Sequence, residues 1–145
     1  KKLEKFSPLI NARKETLMEK ITFKNLIQTS RCVVLADGYY EWKRTEKNKR
    51  PFYISREDKG LIFFAAIYQN NQFCIITREA TPKITEIHHR EPLVINQNQI
   101  SNYLDIKKNA MDILNSIKAP NLKFHEVGKE VNVPVNNNSS LINSI

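Results

Sequence analysis

Through the middle of the chain hydrophobic and polar residues follow a period of two, whereas toward both ends the apolar positions recur every three to four residues. Arg31 to Ala36 (RCVVLA) is a β-branched run that ends at the turn signal Asp37–Gly38, and Tyr39 to Arg44 (YYEWKR) reads as a second strand. The polar loop TEKNKR follows. Pro51 to Ser55, Leu61 to Tyr68 and Gln72 to Thr77 predict three more strands. The connections REDKG and NNQ are rich in turn formers, so antiparallel hairpins are the expected way to join them. Leu93 to Ile95 predicts a short strand and Leu122 to Val127 (LKFHEV) a last one.

Helical spacing appears on either side of this block. Leu17, Ile21, Leu26 and Ile27 recur at helical intervals between Glu15 and Gln28, with a break at Thr22. Pro82 to Ile87 predicts a short helix, and Ile100, Leu104, Met111, Ile113, Leu114 and Ile117 mark two more. Residues 1–10 read as a loop or an entering strand, and the Asn-rich tail from Val131 has no clear period. No internal repeat is visible. The expected architecture is one α+β domain over residues 1–145, a curved, mostly antiparallel, barrel-like sheet flanked by short helices.

Composition narrows the picture. With 145 residues and 41% hydrophobic side chains, a packed core is expected and global disorder is not. The longest apolar run, Leu61 to Tyr68, is eight residues, far short of the roughly 20 that a membrane-spanning helix needs. The first residues, KKLEKFSPLI, lack the apolar stretch of a secretory signal, so a cytoplasmic protein without a membrane partner is expected. The net charge of +8 favours anionic partners, nucleic acid first among them. Against that stands the excess of Lys, Asn and Ile (16, 16 and 17 residues), which an AT-rich genome would impose on any protein. The seven arginines are better witnesses, because a guanidinium holds phosphate bidentately. Cys32 and Cys74 sit in separate apolar runs with no CxxC and no metal-ligand spacing to His88, His89 or His125. Buried free thiols and no metal site are expected.

Three positions could carry chemistry. Strand alternation puts Tyr39, Glu41 and Lys43 on one face and Tyr40, Trp42 and Arg44 on the other. A carboxylate among aromatic neighbours is either a desolvated acid–base group or a solvated outward residue. His88 and His89, followed by Arg90, are either a proton donor beside a phosphate holder or a polar turn without duty. Asn11–Ala12–Arg13 is either a turn and cap or something more, since Arg13 at a helix start opposes the macrodipole.

Taken together, NARKET (Asn11 to Thr16), RCVVLADGYYEW (Arg31 to Trp42), FCIITREA (Phe73 to Ala80) and IHHREPLVI (Ile87 to Ile95) occur in this order. They resemble the SRAP family, the SOS response-associated peptidases, whose members sense abasic sites in single-stranded DNA. The family pattern runs NARxET, RRCLxPADGFYEW, TxxA, IHDRMP and a final V…VN segment, which Val135–Asn136 resembles. The resemblance covers nearly the whole chain.

The resemblance implies a specific chemistry. Family members expose a cysteine at position two, whose α-amine and thiol condense with the ring-opened aldehyde of the abasic site to a thiazolidine. On matching positions, Asn11 would hydrogen-bond near that linkage, Glu41 would act at the cysteine amine and the sugar hydroxyl, and His88 would help open the deoxyribose as a general acid. Arg13 and Arg90 match the arginines that grip phosphates beside the lesion, and Thr77 and Trp42 are counted with them as DNA-binding. No cofactor is implied, and a monomer acting on single-stranded DNA is expected. His89, Glu91 and Leu35 stand where the pattern has Asp, Met and Pro. No Met-Cys-Gly-Arg stretch precedes the first motif, so the chain is expected to be an N-terminally incomplete, crosslinking-deficient portion of such a domain. Two other readings stay open: a pseudoenzyme that binds single-stranded DNA without covalent chemistry, and a peptidase limited to processing itself.

Overall fold

The computed structural model describes residues 11–145; the loop or entering strand expected over 1–10 lies outside the described residues. The elements are β1 (Asn11–Arg13), α1 (Ile21–Thr29), β2 (Arg31–Ala36), β3 (Gly38–Arg44), β4 (Lys49–Arg56), β5 (Ile62–Gln69), β6 (Gln72–Glu79), β7 (Arg90–Pro92), α2 (Ile100–Leu104), α3 (Ala110–Ser116) and β8 (Leu122–Glu126). Short 3-10 turns cover Lys14–Thr16, Ile84–Glu86, Gln97–Gln99, Lys129–Asn132 and Ser139–Ile142. The fold is α+β, as the two periodicities predict.

The strands form two sheets. The larger runs β1-β6-β5-β2 with β7 alongside β6, and the smaller runs β3-β4-β8. Every pairing is antiparallel except β1 with β6. These sheets are curved, which fits the barrel-like expectation loosely, although among the described residues they do not close into a barrel.

The expected hairpin at REDKG is corrected. β4 is already paired on one edge by β3 and on the other by β8, so β5 has no edge left to join there. It pairs instead with β2 and β6, and the REDKG turn carries the chain from one sheet to the other. Asp37–Gly38 makes the same crossing in reverse. Ala36 pairs with Ile62 in the larger sheet, and two residues later Gly38 pairs with Ser55 in the smaller one. The corner is too tight for a side chain, because a Cβ on Gly38 would lie 2.4 Å from the Tyr53 ring and 2.5 Å from the Ile54 carbonyl oxygen. The hairpin at NNQ does form: Asn70 and Asn71 take the left-handed backbone (φ 50° and 61°) that a tight β5–β6 turn requires.

Two cores result. One face of the larger sheet (Ala12, Ala65, Ile67, Cys74, Ile76) packs under the helices through Leu17, Phe23, Ile27, Tyr103 and Leu114. Its other face (Ile62, Phe64, Val94, with Ile75) packs against Phe52 and Ile54 of the smaller sheet. α1 starts later than the spacing predicts. Lys20 is extended and caps it, Leu17 is buried before it, and Ile21 is 78% exposed, so Phe23 and Ile27 define the inward stripe. No helix among the described residues is long and apolar enough to cross a membrane.

Candidate functional site

Register decides which side chains face one another. In β1, Ala12 is buried in the helix-side core, so Asn11 and Arg13 point to the other face, beside their partners Ile75 and Thr77. That face belongs to the core between the sheets, where Ile75 packs. On β3, Tyr39 and Glu41 pair with Ile54 and Phe52, which point into the same inter-sheet space. Asn11, Arg13, Thr77 and Glu41 therefore sit on the facing surfaces of the two sheets. Asn11 and Arg13 are exposed; Glu41 and Thr77 are half-buried.

A hydrogen-bond network joins the remaining groups. The Arg90 guanidinium donates from Nη1 to Glu15 Oε1 (3.0 Å) and from Nη2 to Glu15 Oε2 (2.9 Å) and Thr77 Oγ1 (3.1 Å). The Glu79 N–H also donates to Glu15 Oε1 (3.3 Å). The Arg90 side chain beside it holds the Glu15 carboxyl below the ordinary carboxylate range. The backbone N–H of Arg90 donates to His88 Nδ1 (3.0 Å), which puts the proton of the neutral ring on Nε2. The Arg90 carbonyl oxygen lies 3.2 Å from the same Nδ1. The His89 ring stacks on His88 with centroids 4.4 Å apart.

Glu41 turns its Oε1 back to accept from the Trp42 N–H (2.9 Å). One strand step away, Tyr39 packs edge-on against Phe64 at 5.7 Å, with its hydroxyl buried and without a partner among the described residues. Burial pushes that phenol up, with the Glu91 and Glu41 carboxylates adding to the effect and Arg78 opposing it. Glu91, 3% exposed, is held by Arg78 (2.9 Å) and by the Thr81 hydroxyl (3.1 Å).

Trp42 is not brought to this surface. It lies on the outward face of the smaller sheet, where Tyr40 is 6.5 Å away and its indole N–H donates to Asn132 Oδ1 (2.7 Å). Burial raises both cysteine thiols, Cys32 and Cys74, away from the thiolate form. Among the described residues no three His, Cys, Asp or Glu side chains gather as metal ligands. Sequence reasoning passed over Glu15, Tyr39 and Arg78. Glu15 lay in plain view within NARKET, and alternation already put Tyr39 on the face of Glu41. Arg78 carried no signal, since its partner Glu91 is a cross-strand neighbour known only from the register.

Comparison with known proteins settles the kinship. The sequence matches the family described as SOS response associated peptidase (SRAP) over residues 1–134. The chain belongs to the SRAP family. Among its members, the abasic site processing protein YoqW of Bacillus subtilis is 33% identical over 94% of this chain and 67% of its own length. The Escherichia coli abasic site processing protein YedK is 34% identical over 95% of the chain and 68% of its own. The chain thus spans about two thirds of these bacterial SRAP proteins, and 46% of the chicken abasic site processing protein HMCES, which is 30% identical. The same fold is seen in a crystallised Bacteroides thetaiotaomicron protein, which superposes with a TM-score of 0.82 at 24% identity, over 93% of this chain and 65% of that one.

Proposed function

We propose that this SRAP chain supplies the proton-transfer and phosphate-holding part of a site that captures abasic lesions in single-stranded DNA. The relatives named as abasic site processing proteins support this reading. The observation that carries it is the bonded cluster of Thr77, Glu15, Arg90 and His88, set across the inter-sheet space from Glu41. An opened abasic sugar presents an electrophilic aldehyde beside phosphates, so its capture needs proton shuttles and counter-charge in one place. Glu41 and His88 are the shuttles, Asn11 is a hydrogen-bonding side chain beside them, and the exposed Arg13 faces the backbone phosphates.

The covalent step follows from the chemistry of an N-terminal cysteine. Its α-amine adds to the aldehyde carbon, water leaves to give an iminium, and the thiol sulfur closes the ring with loss of its proton. The net change is aldehyde plus aminothiol to thiazolidine plus water. Neither cysteine within these residues can serve, since the amine of each is tied up in a peptide bond. The test places a segment beginning with an exposed cysteine, of Met-Cys-Gly-Arg type, ahead of the chain and incubates it with abasic single-stranded DNA. A heat-stable adduct on a denaturing gel is expected, slowed by ~10²–10⁴-fold in Glu41→Ala and His88→Ala. Adduct formation at the unaltered rate in both variants would overturn the assignment.

A further inference from the structure

We propose that the end of the β3–β4 hairpin, residues 43–50, is a second phosphate-binding site, which holds the single strand outside the lesion through Arg44, Lys47 and Lys49. This deepens the proposed function and rests on it. Charge is not spread evenly over the molecule. Residues 43–50 hold five cations against one acid, whereas the other residues of 11–145 hold fifteen against thirteen. Half of the net charge of +8 thus lies on eight residues. An AT-rich genome would scatter lysines over the whole surface and disfavour arginine, yet two of the seven arginines are here. Protecting an exposed strand edge would take charge of either sign, and acids serve solubility better than lysines.

The register makes this concentration costly. Lys43 stands directly opposite Arg50, and Arg44 directly opposite Lys49. Like charges in cross-strand pairs destabilise a hairpin. Arg50 finds relief in Glu126, to which its Nε donates at 2.7 Å. Lys43, Arg44, Lys47 and Lys49 make no ion pair among the described residues. Arg44, Lys47 and Lys49 are exposed. A pairing rule broken in two adjacent pairs, with three cations left in water, is answered by an anion from outside the chain.

The hairpin end is also placed to receive one. β8 follows β4 only as far as Phe52, with one more bond from the Val127 N–H to the Pro51 carbonyl. Beyond Pro51 the hairpin is a two-stranded ribbon with no third strand among the described residues. Its turn is closed by the Thr45 N–H on the Asn48 carbonyl oxygen (2.9 Å) and by the Thr45 hydroxyl on the same oxygen (3.1 Å), which fixes the loop that carries Lys47. β3 leads to this turn from the candidate site. Alternation puts Lys43 on the face of Glu41, two residues nearer the turn. At about 3.3 Å per residue, the turn begins about 13 Å from Glu41. Stacked nucleotides at about 3.4 Å each span that distance in about four. The phosphates held here therefore belong to nucleotides that flank the lesion.

The test follows the salt dependence of binding by the 145-residue chain to two single-stranded oligonucleotides, each with a central tetrahydrofuran abasic analogue, which has no aldehyde. The longer, of about 15 nucleotides, reaches the ribbon at about 3.4 Å per nucleotide, and the shorter, of about five, does not. The variant combines Arg44→Gln, Lys47→Gln and Lys49→Gln. On the longer oligonucleotide it should flatten the slope of log K against log[salt] by about 2, at about 0.7 for each of the three phosphates. On the shorter one its slope should equal that of wild type. Its urea midpoint should stand at or above the wild-type value, because a like-charge pair has been removed. An unchanged slope on the longer oligonucleotide would overturn the ribbon site, and a retained preference for the lesion over intact DNA would leave the functional reading standing. A slope flattened equally on the shorter oligonucleotide would overturn the flanking role. Equal binding of lesion-bearing and intact DNA, with the slope still dependent on the ribbon, would sink lesion capture and support the ribbon as a phosphate site.

Discussion

Arg31 and Arg90 each open a strand of the larger sheet, and both guanidinium groups are largely withdrawn from water, yet their partners differ in kind. Arg31 is 6% exposed and donates only to main-chain carbonyls, those of Ile27 (2.7 Å), Tyr103 (3.1 Å), Asp105 (3.1 Å) and Lys108 (2.8 Å). These oxygens come from the last turn of α1, the end of α2 and the loop before α3, where carbonyls lack helical partners and the helix dipole favours a cation. Arg90 is held by a carboxylate that is 45% exposed and by a threonine hydroxyl, with its buried Nε unpaired among the described residues. The first arrangement has nothing to exchange: it knots three helical segments to β2. The second keeps contacts that a change of charge or pH can alter, and it stands at the candidate site. A buried arginine is therefore not one kind of signal. What answers its charge decides whether it braces the fold or serves the chemistry.

Breaking the structural side of this comparison should have the largest effect. Arg31→Leu removes the side-chain donors from four carbonyls, of which that of Asp105 keeps the Lys108 N–H, and should cost about 3–5 kcal/mol, since each buried polar group left unpaired costs about 1–3 kcal/mol and some will find water. Urea unfolding measures it. A loss under about 1 kcal/mol would mean that the helix ends are held without this guanidinium.

Glu91 comes next, as a buried carboxylate whose partners are side chains. Glu91→Ala should cost about 2–4 kcal/mol, because Arg78 loses its counter-charge and Thr81 its acceptor. Glu91→Met should cost less. It refills the volume, and the Arg78 side chain, 20% exposed, can turn to water. Equal losses in the two variants would show that charge, and not packing, dominates at this position.

Acid should separate the two arginines without any mutation. Glu15 has its carboxyl lowered in the fold, so its bond to Arg90 stabilises the native state fully above the unfolded carboxyl value of about 4.3 and is lost as pH falls through the folded value. Among the described residues Arg31 has no carboxylate partner, so its knot has no such acid limb. The Glu15 contribution stays under about 1 kcal/mol because solvent screens a half-exposed pair. Comparing Glu15→Gln with wild type in urea at pH 6 and pH 3, the difference should be full at the higher pH and smaller at the lower. A difference equally large at pH 3 and pH 6 would refute the ion pair as its source.

These contrasts also explain what could be read from the sequence. The strands were legible because β-branched runs with period two leave few alternatives, and the NNQ turn because adjacent asparagines tolerate the left-handed backbone. Alternation alone placed Glu41 and Trp42 on opposite faces. The change of sheet at Asp37–Gly38 and at REDKG was not legible, since it depends on β8 claiming the far edge of β4 from 66 or more residues along the chain. Arg31 read as the first residue of a strand motif, because its four acceptors are backbone atoms that no sequence pattern marks. Glu15 was hidden for the opposite reason: it sat in a motif already credited to its neighbours Asn11 and Arg13.

The smallest expected effect concerns Trp42, which family resemblance counts with the DNA-binding residues and whose geometry turns it away from them. Its indole N–H is the side-chain link from β3 to Asn132, in the turn that follows β8. Trp42→Phe keeps an aromatic ring beside Tyr40 and deletes only that donor, at an exposed bond, so it should cost between a few tenths and about 1 kcal/mol. The loss should appear locally, as faster amide exchange over Lys129–Asn132, with β3 protection unchanged. Glu41 faces the opposite side of the same strand, so oligonucleotide affinity and its salt slope should stay at wild-type values. A drop in affinity of tenfold or more, with unfolding stability intact, would place DNA on the outward face of the smaller sheet and reverse the side of the molecule assigned to the site.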